Sequence, residues 1–415
     1  YLEESGGDGG MKSNKIRLGE QCVVTSSKRF HLSERITQGV PFYCSKEIIK
    51  KFNGEDVTEC DYISEDLYKK VSNEVGVPKE NDLLITTRGT IGIPYLYKRT
   101  DRFYFADGNL TWIKDFDSNL YSKFLYYWFQ SYEGRKKFEA LAKGTAQKAV
   151  PISGIKTLEI ELPSLKSQKR IADILSAYDD LIENNQKQIK LLEEAAQRLY
   201  KEWFVDLRFP GHENTKIVDG VPEEWNWCKL EDAIQLDPKV TLTKERMKQF
   251  IPMSALSTSS MVLDESQFTE TTSNSGSKFQ NGDTLLARIT PCLENGKTAY
   301  VSGLKSDEGA VGSTEYIVMR AKTINSYMVY LLARTDDFRQ SAINSMSGSD
   351  GRQRVKSDKL KMLDYLHPTS ELVEKFENVE EPIFEKIYRL SKQMQQAKQA
   401  RDLLLPKLMS GEVEV

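Results

Sequence analysis

Between Ser164 and Phe209 the chain carries neither glycine nor proline, so nothing in that stretch interrupts a helix. Within it Ile171, Leu175, Tyr178, Ile182, Asn185, Ile189, Leu192, Ala196, Leu199 and Trp203 follow one another in alternating steps of four and three. That alternation is the seam of a coiled coil. Its polar member, Asn185, falls where an asparagine fixes register and partner at some cost in stability. Ile174, Leu181 and Ala195 flank the seam, and so wide a stripe points to more than one packing partner.

A second such run closes the chain: Ile383, Ile387, Leu390, Met394, Ala397, Arg401, Leu404 and Leu408, with Leu372, Phe376 and Val379 extending it backward. Arg401 is its imperfect seam position. Pro382 is expected to start or kink this helix, and Pro406 to end or bend it near Leu405. Helices of about 35 residues measure roughly 50 Å. Two in one chain pair most simply with each other, antiparallel; the alternative is that each covers its own domain.

The segments preceding the two helices repeat. "ENDLLITTRGTIG" (80–92) matches "NGDTLLARITPCLENG" (281–296), "DGNLTWI" (107–113) matches "VGSTEYI" (311–317), and "KGTAQKAVPISGIKTLEIELPS" (143–164) matches "SGSDGRQRVKSDKLKMLDYLHPTS" (347–370). A shared order at a near-constant offset is the mark of a duplication. Strand-like "DLLIT" and "DTLLAR" and helix-like "YSKFLYYWFQSYEGRKKFEAL" and "SYMVYLLARTDDFRQSAI" predict a compact domain with a mixed sheet in each half. The fold class is therefore α/β (α+β): two similar domains, two long helices forming an antiparallel coiled coil, and a pseudo-two-fold internal repeat. The boundaries expected are 1–10 (a leader or expression remnant), 11–163, 164–210, 211–369 and 370–415.

Composition excludes several classes. The five cysteines are scattered and form no C-x-x-C pair, and three histidines are too few and too dispersed for a zinc site, so no metal is expected. No apolar run is long enough for a membrane span. Reduced cysteines suit a cytoplasmic protein. A net charge of -3 argues weakly against a nucleic-acid binder without excluding a local basic patch. Phosphate-loop, nucleophile-elbow and H-E-x-x-H motifs are absent. So are the N-P-P-[YF] or D-P-P-[YF] tetrapeptide of amino-methyltransferases and a G-x-G cofactor loop. This favours a binding protein over an enzyme, with no catalytic residues and no cofactor of its own.

Each half offers instead a polar, glycine-containing loop pair. The candidates for DNA contact are Thr87, Arg88, Thr90, Lys143, Thr145, Gln147 and Lys148 in the first half. In the second they are Arg288, Thr290, Ser347, Arg352, Gln353 and Arg354. Arginine and lysine match guanine O6/N7, glutamine matches adenine N6/N7, and hydroxyls and backbone N–H groups suit phosphate.

"SQKRIADILSAYDDLIENNQKQIKLLEEAAQRLYKEWF" with "FVDLRFPGHE" resembles the central conserved region of the specificity subunits of type I restriction–modification enzymes. The terminal "LLLPKLMSGE" is similar to their C-terminal conserved region, and "VPEEWNWCKLED" resembles the start of one of their target-recognition domains. The resemblance implies two recognition domains, each reading one half of a bipartite, gapped double-stranded DNA target, with the conserved helices as spacer. Half-sites one helical turn apart lie about 34 Å apart, within the reach of such a spacer. It also implies docking of two methyltransferase subunits on the helices and recruitment of two restriction subunits. S-adenosylmethionine, ATP and Mg would then belong to those partners. Helix pairing and docking are expected of Ile171, Leu175, Tyr178, Ile182, Asn185, Ile189, Leu192, Leu199, Trp203, Ile383, Ile387, Leu390, Met394 and Leu404. A coiled-coil scaffold without DNA specificity and a methyltransferase–specificity fusion are the alternatives.

Overall fold

A computed structural model of the chain describes residues 14–144, 148–349 and 351–415. The chain divides into two compact units, Tyr1–Glu183 with Gln395–Val415, and Asn184–Met394.

In the first unit the strands Val23–Thr25, Leu110–Lys114, Leu83–Thr86 and Pro94–Leu96 form one antiparallel sheet in that order. A smaller sheet runs Asp61–Ile63, Val40–Tyr43, Tyr104–Phe105, its second pair parallel. Strands Asn14–Arg17 and Glu159–Leu162 pair beneath the central helix start. All four residues of Leu83–Thr86 are buried, so this is the middle of the core rather than a half-wet strand.

The second unit repeats the plan. Ile234–Leu236, Tyr316–Ala321, Thr284–Ala287 and Thr298–Tyr300 form its antiparallel sheet. Thr269–Thr271, Lys248–Ile251, Ala310–Gly312 and Ser277–Phe279 form a second one, and Asn226–Lys229 pairs with Asp364–His367. The single mixed sheet expected of each half is thus corrected: the first-named sheet of each unit is wholly antiparallel, parallel pairing is confined to the second, and separate two-stranded pairs stand beside them.

Both units carry a helix pair broken at a capping residue. Ser122–Gln130 gives way to Tyr132–Ala140 at Ser131, whose Oγ accepts from Gly134 N–H at 3.1 Å. Ser326–Arg334 gives way to Asp336–Asn344 at Thr335, whose Oγ1 accepts from Phe338 N–H at 3.3 Å. A hydroxyl at the N-cap satisfies a free amide of the new helix and so favours the break.

The central helix runs Leu165–Tyr200 and continues as a π-helical turn, Lys201–Val205. The C-terminal helix runs unbroken from Ser370 to Ser410. Pro382 and Pro406 therefore neither start nor end it: both are exposed, and the helix accommodates the lost N–H donors. Within each unit the two helices run antiparallel. In the first, Ile171 and Leu175 share a core with Leu408, while Arg401 meets Asp179. In the second, Asn185 meets Leu390 and Tyr200 meets Phe376.

Candidate nucleic-acid interface

In the first unit the loop after strand Leu83–Thr86 lies beside the segment leading to helix Ile152–Lys156. Thr87 N–H donates to Asn109 O at 2.9 Å, Val150 N–H donates to Thr87 O at 2.9 Å, and Arg88 and Lys143 each bridge Ala149. Gly89 turns the loop at φ 75°, a conformation that strains any other L residue. Thr87 is buried and serves as wall, whereas Arg88, Thr90, Lys143 and Lys148 are exposed. Thr87, Arg88 and Lys143, with Ser26 and Gly108, help line an open depression of about 340 Å³. Thr145 and Gln147 lie outside the described residues.

The second unit builds the same frame from other side chains. Arg288 N–H donates to Glu315 O at 3.0 Å, Val355 N–H donates to Arg288 O at 2.9 Å, and Ile289 and Ser347 each bridge Arg354. The backbone pattern sets Arg288 against Thr87, Ile289 against Arg88, Glu315 against Asn109, Arg354 against Ala149 and Ser347 against Lys143. Loops alike in composition thus place their arginines at different points of a common frame.

Arg354 is not a free donor. Its Nε donates to both Glu315 carboxylate oxygens at 3.0 and 2.9 Å, and its Nη2 donates to Glu315 Oε1 at 2.7 Å. The hydrogen-bonded guanidinium holds the Glu315 carboxyl below the usual carboxylate range. Arg288 is half-buried, and its Nε has no hydrogen-bond partner among the described residues. Thr290 N–H donates to Gln353 O at 3.1 Å; Ser347 and Arg352 are exposed and Gln353 half-buried. Asn109 and Glu315 were not legible as site residues. Their signal is positional: each stands one residue before the strand that pairs with the loop's own strand.

A carboxylate shapes the turn at the far end of each loop strand. Asp82 accepts from Lys79 N–H and Trp112 Nε1–H, both at 2.8 Å, and Asp283 accepts from Gln280 N–H at 2.7 Å and from Arg320 through two bonds.

The helix residues are placed mostly inside the chain's own core. Ile171, Leu175 and Ile182 are buried in the first unit, where Leu404 packs against the core and Tyr178 is half-buried. In the second, Ile189, Trp203, Ile387 and Leu390 are buried, Leu192, Leu199 and Ile383 pack against them, and Met394 is half-buried. Asn185 is 2% exposed, and its Nδ2 donates to Leu390 O at 3.4 Å. These side chains meet the helices and the domains, so the buried ones offer no docking face to another subunit. Leu181, Leu191, Val379 and Leu403 are large apolar residues of the two helices that stay exposed. The backward seam is also corrected: Val379 is exposed, while Glu380 and Phe384 are buried. A helix of 3.6 residues per turn drifts against a strict heptad, which rotates Val379 out and Glu380 in. Glu193, outside the expected seam, is buried as well. It accepts from Ser260 Oγ at 2.6 Å and Met261 N–H at 3.0 Å, and burial lifts its carboxyl to about 6.

Among the described residues no cluster of His, Cys, Asp and Glu is arranged to hold a metal, and no helix is long and apolar enough to cross a membrane.

Duplicated modules, each presenting a polar loop pair and packed on long paired helices, define a two-module binding protein. Residues 12–194 match the family described as the type I restriction modification DNA specificity domain. The chain is 27% identical to the MjaIX specificity subunit of Methanocaldococcus jannaschii over 304 residues, 71% of this chain and 69% of that one. It is 34% identical to the EcoAI specificity subunit of Escherichia coli over 140 residues, 32% of this chain and 24% of that one. The crystal structure of the type I restriction-modification S subunit from M. genitalium shares the fold, with a TM-score of 0.61 at 17% identity, covering 98% of this chain and 97% of that one. The chain is thus similar, over residues 12–194 and along most of its length, to the specificity subunits of type I restriction–modification systems.

Proposed function

We propose that the chain is the DNA sequence-recognition subunit of such a system, each domain reading one half of a bipartite, gapped duplex target. The observation that carries this is one backbone frame built twice with different side chains: Thr87, Asn109 and Ala149 in one domain, Arg288, Glu315 and Arg354 in the other. A shared frame with unlike donors and acceptors is what reading two different half-sites requires, because base edges are told apart by donor and acceptor pattern. Arg88 and Lys143 in the first domain, and Arg288 and Arg352 in the second, are the main candidates for base or phosphate contact.

The chain itself is non-catalytic. Two methyltransferase subunits dock on the helices, and two restriction subunits join that core. S-adenosylmethionine, ATP and Mg act on those partners, in the cytoplasm. Partner subunits also supply cationic surface that an acidic chain lacks. Filter binding to a duplex library, with and without the methyltransferase subunit, tests this reading. Selective retention of a subset of sequences by the complex supports it. Assembly without any DNA selectivity would instead support a scaffold.

A further inference from the structure

Glu315, Arg288 and Arg354 come from three separate segments and meet at the loop of the second domain. Glu315 takes the Nε and Nη2 donors of Arg354 with both of its oxygens. That two-donor edge is one an arginine can present to a pair of acceptors such as guanine O6 and N7, and here it is spent inside the protein. Arg288 is the opposite case: its charge is close enough to help depress the Glu315 carboxyl, yet its buried Nε has no partner among the described residues. A buried donor left without an acceptor is costly until a ligand provides one.

The ion pair is not needed to form the frame. The first domain makes the corresponding backbone bonds and bridges with Asn109 and Ala149, which are uncharged. Glu315 also cancels one of two neighbouring positive charges. Without it, the loop would gain attraction for phosphate regardless of sequence.

We propose that Glu315 is a specificity-determining positioning residue: it locks Arg354 into the loop frame and leaves Arg288 as the arginine that donates to a base edge of the second half-site. This rests on the DNA-recognition reading above. The test uses the complex with its methyltransferase subunit and duplexes carrying the methylation motif of the wild type, each half-site varied one base pair at a time. Glu315→Gln should lower cognate-over-variant discrimination about tenfold at one position of the second half-site and leave the first half-site unchanged, a loss of the size one bidentate contact provides. Arg288→Gln should lose discrimination at that same position. Glu315→Gln/Arg354→Gln, which retains a neutral hydrogen-bonding pair and the wild-type charge of the cluster, should keep the discrimination that Glu315→Gln loses. If Glu315→Gln fails to assemble, the double variant and Arg288→Gln are read instead: loss in the former or none in the latter would overturn the proposal. Unchanged discrimination in Glu315→Gln, or an equal loss at both half-sites, would overturn it as well. A wild-type complex with no two-part preference would instead overturn the recognition reading beneath it.

Discussion

Arg401 Nη1 donates to Asp179 Oδ1 at 2.6 Å, and Tyr127 Oη donates to the other oxygen of the same carboxylate at 2.6 Å. The charged residue in the C-terminal seam is therefore matched from the central helix, and the carboxylate is matched in turn from the recognition domain. Removing the guanidinium strands a partly buried carboxylate. Arg401→Ala is expected to cost about 1–3 kcal/mol, below the figure for a fully buried pair because both side chains keep some exposure to solvent. Denaturant titration of the chain measures it. Arg401→Met/Asp179→Leu/Tyr127→Phe, which also removes the hydroxyl that donates to Asp179, should recover most of the loss, since apolar side chains then replace all three groups that meet at Asp179.

Glu380 is fully buried, and neither carboxyl oxygen has a hydrogen-bond partner among the described residues. Burial pushes its carboxyl up to about 7. An acid raised in the folded state is fully compatible with folding below its unfolded value near 4.5, and costs stability as pH climbs from there through about 7. Glu380→Gln should therefore gain on the wild type as pH rises from 5 to 8, by up to about 3 kcal/mol. Melting temperatures of the two proteins across that range check this. A constant difference would refute the buried-acid account.

A Cβ at Gly134 would lie 1.9 Å from Trp128 O, a backbone atom that cannot step aside. Gly134→Ala is expected to cost about 1–3 kcal/mol or more through overpacking at the break between Ser122–Gln130 and Tyr132–Ala140. Thermal unfolding measures the loss.

Leu191 is 64% exposed on the central helix, whereas Ile182 is buried. Leu191→Asp should leave stability within about 0.5 kcal/mol of the wild type yet weaken association with the methyltransferase subunit. Ile182→Asp should unfold the helix pairing itself, so lost assembly in that variant would say nothing about docking. Analytical ultracentrifugation of the two variants with the partner subunit separates the cases.

Much of this architecture could be read before the structure. The seam from Ile171 to Trp203 and the repeat of the loop strands survive because helix periodicity and β-rich runs are local patterns in the chain. Other features depend on register or on distant partners. Glu380 replaces Val379 in the buried stripe because the helix drifts from a strict heptad. Arg354 and Arg88 look interchangeable as loop arginines, but only the fold reveals that Glu315 claims the former. The breaks at Ser131 and Thr335 fall inside helix-like sequence, where a capping hydroxyl outweighs the apolar periodicity.

Loss of Arg88 should weaken specific binding by about 1–3 kcal/mol through the first half-site, and loss of Arg352 by a similar amount through the second. Fluorescence anisotropy with the methyltransferase complex measures both, and equal affinities for wild type and variants would remove these residues from the interface.

Co-expression with the methyltransferase subunit, followed by single-molecule sequencing of adenine methylation in the host DNA, tests the central claim most directly. The account predicts one new methylation motif made of two defined halves separated by an unspecified gap. An intact complex that leaves the host DNA without any new methylated motif would contradict it.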